Sequence, residues 1–294
     1  MSATVLAVDL GGTHYRAGVA SSDMPAFVRP IGVWPTPSTR DELAAMLESQ
    51  IAELAATRLG LAIPGLADGT TCRWVPNLSY LDGLDLAARF PHVEVALGND
   101  AHLALLAEAS IGAAAELSDA ILLAIGTGIG SAVLADGHII GSWRGGACSF
   151  GWAAADLVDP EEDRNGWREL HCSGQALDRV AVGVGLRDGA DLVERARAGD
   201  GRAMDALVPP MCALGAALAG AVALLDPEAI IFAGGVAVAL DILAPLIRRA
   251  LVSRLPPHMR GVELRAAQFG PRASLVGAAF AGARGEGWRG RRHG

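Results

Sequence analysis

Two stretches of this chain share one order: an apolar strand, a glycine loop, then a second strand. Residues 3–9 lead through Leu10-Gly11-Gly12-Thr13 into a strand-like run at 15–20. Residues 120–125 lead through Gly126-Thr127-Gly128-Ile129-Gly130 into another at 131–135. A glycine turn between paired strands can present backbone N–H groups to an anion, and it can equally be an ordinary hairpin. The second glycine run looks like a dinucleotide fingerprint, but that fingerprint must open a helix. Here it opens a strand, which disfavours a Rossmann NAD site. The repeat spans roughly half the chain, too long for a solenoid. It predicts two lobes, each offering a glycine loop to a polyphosphate.

Composition narrows the chemistry. The 24 basic residues are all Arg, which excludes mechanisms that need a lysine on a phosphate or in a Schiff base. With 294 residues, 51% of them hydrophobic, the chain can build a large α/β core. A net charge of −8, with no basic block before Arg289-Gly290-Arg291-Arg292-His293, argues against nucleic acid; that tail reads as a frayed terminus. Cys72, Cys148, Cys172 and Cys212 lie far apart without a C-x-x-C pair, as expected of a reduced cytoplasmic protein. Asp9 interrupts the first apolar run, so no signal peptide is expected. The apolar residues 211–225 end at Asp226-Pro227 and read as a buried helix, so no membrane partner is expected.

Periodicity predicts helices at 40–59 (capped by Ser38 or Thr39), 84–90, 169–184, 190–198 and 240–255. A helical region at 204–225 is expected to break at Pro209-Pro210. Strands are expected at 60–63, 229–232 and 262–267, a hairpin at Asp136-Gly137 returning through 138–140, a loop-rich section at 67–81 and a small-residue helix at 274–283. The stretch Gly98-Asn99-Asp100-Ala101 joins an apolar run to a helix. Asp100 therefore reads as a helix N-cap and also as a carboxylate at the carboxyl end of a strand, where ligands of open α/β sheets collect.

Together these motifs resemble the ROK family of bacterial sugar kinases, within the actin-like ATPase superfamily. Asp9-Leu10-Gly11-Gly12-Thr13-x-x-Arg16 is similar to the family's first phosphate motif and Gly126-Thr127-Gly128-Ile129-Gly130 to its second. Ile230-Ile231-Phe232-Ala233-Gly234-Gly235-Val236 resembles the adenosine motif. Pro64-Gly65, Pro76-Asn77-Leu78, Asn99-Asp100-Ala101, Glu169-x-x-x-Ser173-Gly174 and Ser274-Leu275-Val276-Gly277-Ala278-Ala279 follow in the family's order. Two features depart from it. Ala147-Cys148-Ser149-Phe150-Gly151-Trp152 stands where the family has A-G-E-I-G-H, so a sugar-binding glutamate becomes Ser149 and a sugar- and zinc-binding histidine becomes Trp152. The cysteine-rich zinc loop is also missing, with Gly166-Trp167 in place of a Gly-Cys pair. No helix-turn-helix segment precedes Thr4, so the repressor branch is not indicated.

The resemblance implies a two-lobed actin-like ATPase (ribonuclease H-like) α/β fold, with duplicated mixed sheets and a cleft between them. Its smaller lobe would comprise residues 1–113 plus 274–294, its larger lobe 114–273. It implies ATP and Mg²⁺ without structural zinc, a sugar substrate, and a homodimer. Gly11, Gly12, Thr13, Gly126, Thr127, Gly128, Gly234 and Gly235 would hold the nucleotide, and Asp9 a hydrated Mg²⁺. Asp100 would be the general base. Gly65, Asn77, Asn99, Ser149, Trp152 and Glu169 would meet the sugar, with Trp152 or Trp74 available to stack on a sugar face. A helix N-terminus beside Asp100 is expected to stabilise its ionised form and so lower its pKa. The other readings are a non-catalytic sugar- or nucleotide-binding regulator derived from such a kinase, suggested by Ser149 and Trp152, and an ATPase without a sugar substrate.

Overall fold

The computed structural model describes residues 2–126, 128–141, 146–147, 149–152 and 171–289, without the side chain of Glu286. The chain divides into two units, residues 1–116, 137–147 and 271–294 in one, and 117–136 and 148–270 in the other.

The first unit is built on β1 (Thr4–Leu10), an apolar strand buried on both faces. It pairs antiparallel with β2 (His14–Ser21) and parallel with β4 (Arg58–Ile63). Beyond β2 lies β3 (Met24–Pro35), and beyond β4 lies β7 (Glu94–Asn99), giving the order β3-β2-β1-β4-β7. The sequence conceals β3. It carries Pro25, Pro30 and Gly32 and exposes Met24, Phe27 and Val33. Proline is confined to edges because it cannot complete a ladder, and β3 is the edge. Trp34 anchors it with an edge-on contact to Tyr15, 5.8 Å between ring centroids. A two-stranded sheet, β5 (Leu66–Asp68) with β6 (Thr71–Trp74), occupies the predicted loop section; its strands are too short to show an alternation.

Helix α1 (Arg40–Leu54) is capped by the Thr39 side chain at Glu42 N–H. It ends at Ala55 in the left-handed conformation, so residues 58–59 of the expected helix belong to β4. Leu43 and Leu47 join Leu6, Val8 and Leu10 in one core, and the alternate residues of β1 face the other side. There α2 (Asp100–Ile111) follows β7 directly, and the last long helix, α7 (Ala273–Arg284), packs on α2, β1 and β4. Backbone touches backbone here. A methyl on Gly277 would sit 1.8 Å from the Leu103 carbonyl oxygen, and one on Gly60 1.8 Å from that of Ala278. Just before the expected frayed tail Trp288 is buried, its indole N–H donating to the Leu97 carbonyl at 3.3 Å, and Arg289, the tail's first residue, stacks on that ring at 4.7 Å. Residues 290–294 lie outside the described residues.

The second unit repeats the scheme. β8 (Ala120–Ile125) pairs antiparallel with β9 (Ile129–Ala135) and parallel with β11 (Ala229–Gly234), which pairs parallel with β12 (Glu263–Ala266). The series β9-β8-β11-β12 thus matches β2-β1-β4-β7. Asp136 and Gly137 both take positive φ in the predicted turn, which leads to β10 (His138–Ile139).

Helices α3 (Gly174–Gly183), α4 (Gly189–Arg197) and α5 (Gly201–Leu225) are capped by Ser173, Asp188 and Asp200. Residues 171–172 are also helical, Ser173 interrupts the expected helix before α3, and Glu169 lies outside the described residues. The expected break at Pro209-Pro210 does not occur: α5 runs through both. Each interior proline costs about 3 kcal/mol. Leu207, Met211, Leu214, Leu218 and Val222 are buried along one face and offset this. At Gly215 the helix meets α6 (Leu240–Val252), where an added methyl would lie 2.4 Å from the Ile247 carbonyl oxygen. By length and composition α5 could cross a membrane, yet half of its most apolar window is buried in the unit.

Gly277→Ala is expected to destabilise the protein by about 3 kcal/mol, because the clash is with backbone and not with a movable side chain. Urea unfolding followed by circular dichroism measures it.

Candidate active site

In the first unit three parallel-paired strands deliver the candidate groups to one sheet end. Asp9 lies opposite Ala62 on β4, and Ala62 opposite Gly98 on β7. Asn99 and Asp100 therefore emerge two strands away from Asp9, about 10 Å across the sheet at the usual interstrand spacing.

Asn99, not Asp100, caps α2. Its side-chain oxygen accepts from Ala101 N–H at 2.9 Å and His102 N–H at 3.3 Å, while its amide donates to the Gly65 carbonyl at 3.1 Å. One amide hydrogen of Asn99 remains for a ligand. Asp100 holds the first helical position, and its carboxylate accepts from Ala101 N–H at 2.8 Å. Ser274 Oγ donates to its backbone carbonyl at 3.2 Å.

The expected lowering of the Asp100 pKa is corrected. Burial of its carboxyl, reinforced by the charge of Asp9, pushes it up to about 6, against the backbone N–H groups that favour the ionised form. A helix N-terminus contributes a fraction of a charge, whereas desolvation and a like charge act directly on the carboxyl. Asp9 is also raised by burial, countered by Arg16, which faces it across β1–β2 at 3.0 Å.

The first glycine loop is tied at both ends. Gly11 N–H donates to the His14 carbonyl at 2.8 Å, so it is spent within the loop. Thr36, just past β3, donates through its hydroxyl to the Gly11 carbonyl at 2.6 Å and through its N–H to the Thr13 carbonyl at 3.2 Å. Gly12 and Thr13 are exposed, and a methyl on Gly12 would lie 3.8 Å from Asn77 Cβ. Asn77 is itself exposed at the start of a 3₁₀ turn, Pro76–Leu81. Gly65 is close-packed: a methyl there would lie 2.4 Å from the Trp74 carbonyl oxygen. Asp9, Gly11–Thr13, Gly65, Asn77, Asn99 and Asp100 thus share one unit, and several touch.

Beside Asp100, His102 is fully buried, its Nδ1 without a hydrogen-bond partner. Burial and then the charge of Arg289 push it down to about 4, against a hydrogen bond with the Ala147 backbone. It is a neutral packing residue near neutral pH.

In the second unit Gly126 N–H donates to the Gly128 carbonyl at 3.0 Å, and the Gly126 carbonyl accepts from Gly174 N–H at 2.7 Å, at the start of α3. Gly234 takes φ 75°, and a methyl on it would lie 2.4 Å from the Ile125 carbonyl oxygen, so only glycine fits. Gly235 follows beside the same carbonyl. Ser149 and Trp152 are exposed on one short turn, Trp152 N–H donating to the Ser149 carbonyl at 3.1 Å. Thr127, Cys148, Glu169 and the 166–167 pair lie outside the described residues. Among the described residues no three His, Cys, Asp or Glu side chains converge as a metal site.

Both halves thus carry a glycine loop on equivalent strands, with a glycine of β11 packed behind the second loop. The sequence model of the ROK family matches residues 5–283. The chain belongs to the ROK family. It is 25% identical to a glucokinase of Thermotoga maritima over 94% of this chain and 96% of that one. It is 29% identical to a kanosamine kinase of Amycolatopsis mediterranei over 93% and 94%. The fold is the actin-like ATPase fold of ROK sugar kinases. A ROK glucokinase from Streptomyces griseus, solved with glucose and AMPPNP, superposes with a TM-score of 0.77 at 27% identity, over 96% of this chain and 100% of that one.

Of the groups that shape this ROK site, sequence patterns missed Thr36. It follows an edge strand that proline disguises, and nothing local marks it. Asn99→Ala is expected to cost about 1–2 kcal/mol of stability through the lost helix cap, with Asn99→Asp costing less. Thermal unfolding of the pair checks this.

Proposed function

We propose that this ROK protein is an ATP-dependent sugar kinase, transferring the γ-phosphoryl group to a hydroxyl of a hexose or hexose derivative. The observation that carries the reading is Asp100: a carboxylate at the sheet end shared with the first glycine loop, raised by its surroundings toward neutrality. The names and activities of the relatives point the same way.

In this reading Asp100 accepts the proton of the attacking hydroxyl as the new O–P bond forms. A base whose pKa lies just below the working pH is mostly ionised and still takes a proton readily. Gly12 and Thr13 bind phosphate in the first unit, and the resemblance gives Gly126, Thr127 and Gly128 that role in the second, where Gly234-Gly235 leaves room for the nucleoside. Asn77, the free amide hydrogen of Asn99, Gly65 and Glu169 orient the sugar, with Ser149 and Trp152 shaping its specificity.

Asp9 fits a hydrated Mg²⁺ carried by the nucleotide: it is an oxygen donor whose buried charge bears on Asp100. When bound, that ion screens the charge building on the transferring phosphoryl group. Structural zinc has no part in this reading, because neither Ser149 nor Trp152 is a zinc ligand of the usual kind. A homodimer, supported by the resemblance, and a cytoplasmic location, supported by cysteines spaced far apart without a C-x-x-C pair, complete it.

ADP release measured over a panel of hexoses, N-acetylhexosamines and aminohexoses tests the activity. ATP and sugar binding without turnover of any sugar would favour the regulator, and sugar-independent hydrolysis the plain ATPase. Asp100→Asn is expected to lower kcat by about 10²–10⁴.

The pH dependence has a definite sign. The folded pKa of Asp100 lies above its unfolded value of 3.8, so its contribution to stability is greatest below the unfolded value and is lost as pH rises through about 6. The Asn variant should therefore be at least as stable as the wild type at pH 7.5 while losing activity. Wild-type kcat/KM should fall about tenfold per pH unit below the Asp100 pKa. A full-activity Asp100→Asn enzyme would remove the base from this scheme.

A further inference from the structure

The two glycine loops are fastened by the same device. In each, the first residue past the strand is a glycine whose N–H turns back into the loop: Gly11 to the His14 carbonyl, Gly126 to the Gly128 carbonyl. In each, the carbonyl of that same glycine is held from outside the hairpin. At Gly126 the outside donor is the Gly174 N–H, at the first turn of α3. At Gly11 it is the Thr36 hydroxyl, at 2.6 Å. A backbone amide in one half is matched by a side chain in the other.

The match gives Thr36 a consequence for ligand binding. The Gly11 carbonyl and the Gly12 N–H belong to one peptide plane and, in a trans peptide, point in opposite directions. Fastening the carbonyl on Thr36 turns the Gly12 N–H away from Thr36. The second bond, from Thr36 N–H to the Thr13 carbonyl, fixes the carbonyl two residues further along the loop in the same way. Because Gly11 N–H is already engaged, Gly12 and Thr13 are the loop's remaining inward candidates for an anion. Both are exposed, while Thr36 is half-buried behind them.

We propose that Thr36 is a positioning residue for the nucleotide: by holding the Gly11 and Thr13 carbonyls it aims the Gly12 N–H at the ATP phosphates. This rests on the kinase reading above and extends it to a residue outside the family motifs. It predicts an effect on ATP and none on sugar, since among the described residues the hydrogen bonds of Thr36 go to the loop carbonyls. A staple that merely stabilised the fold would instead affect both ligands along with the melting temperature.

The test is titration calorimetry of Mg-ATP without sugar on the whole protein, with steady-state KM values for ATP and sugar. Thr36→Val keeps the shape and removes the donor, and Thr36→Ser keeps the donor. Thr36→Val should weaken ATP roughly five- to tenfold, the size expected of one lost orienting hydrogen bond. Sugar KM should stay within about twofold by the same reasoning, and Thr36→Ser should restore ATP binding. If Thr36→Val does not fold, Thr36→Ala takes its place. Wild-type ATP affinity in the donor-free variant overturns the proposal. So does a serine variant as weak as the valine one, or a parallel loss of ATP, sugar and thermal stability. A wild-type protein that binds no Mg-ATP overturns the kinase reading itself, a result separate from any difference among the variants.

Discussion

Two carboxylates brought to one end of three parallel strands set the terms for the rest of this protein. The pairing β1–β4–β7 is in register, so the chain cannot place Asp9 at the end of β1 and Asp100 just past β7 without making them neighbours across β4. Their repulsion, added to burial, is a cost that neither side chain relieves alone. Arg16 answers it at Asp9, and backbone N–H groups at the start of α2 answer it at Asp100. The arrangement keeps Asp100 reluctant to carry charge, as suits a group meant to take a proton.

The surrounding structure holds that arrangement with backbone contacts more than with side chains. Gly60, Gly277 and Gly282 let α7 lie directly on β1, β4 and α2, fixing the height of the helix that begins at Asp100. Asn99 spends most of its hydrogen-bonding capacity on the junction, tying the helix start to Gly65. The loops are treated likewise: the first glycine of each is bonded through both its N–H and its carbonyl. Rigid first glycines leave the following amides oriented before any ligand arrives, and pre-organisation of that kind lowers the cost of binding.

Much of the fold was legible because its strands are buried on both faces and read as short apolar runs. The strand–glycine–strand repeat was visible at 3–20 and 120–135 for that reason, as were β7 leading into α2 and β11 leading into Gly234. Helix ends were less legible: α1 stops at Ala55 through a left-handed residue that carries no glycine signal. β3 was missed because an edge strand tolerates the prolines and exposed side chains that elsewhere mark a loop. The unbroken α5 defied its two prolines because contacts with distant residues, among them Ile247, outweigh a local preference.

At the site, the amino-acid sequence by itself determined which groups are available: Asp9, the two glycine loops, Asn99-Asp100 and the Gly234-Gly235 pair, in an order specific to the family. Residue types and spacing suffice for that, because close approach of backbone needs glycine and proton transfer needs a carboxylate. Only the tertiary structure decided how those groups behave. It made Asn99 the cap and freed Asp100. It raised the Asp100 pKa where the local helix end argued for lowering it, and it brought Thr36 behind Gly11. Each outcome depends on atoms far apart in the chain, through burial, charge and hydrogen bonds that act over ångströms in space and leave no trace in neighbouring residues.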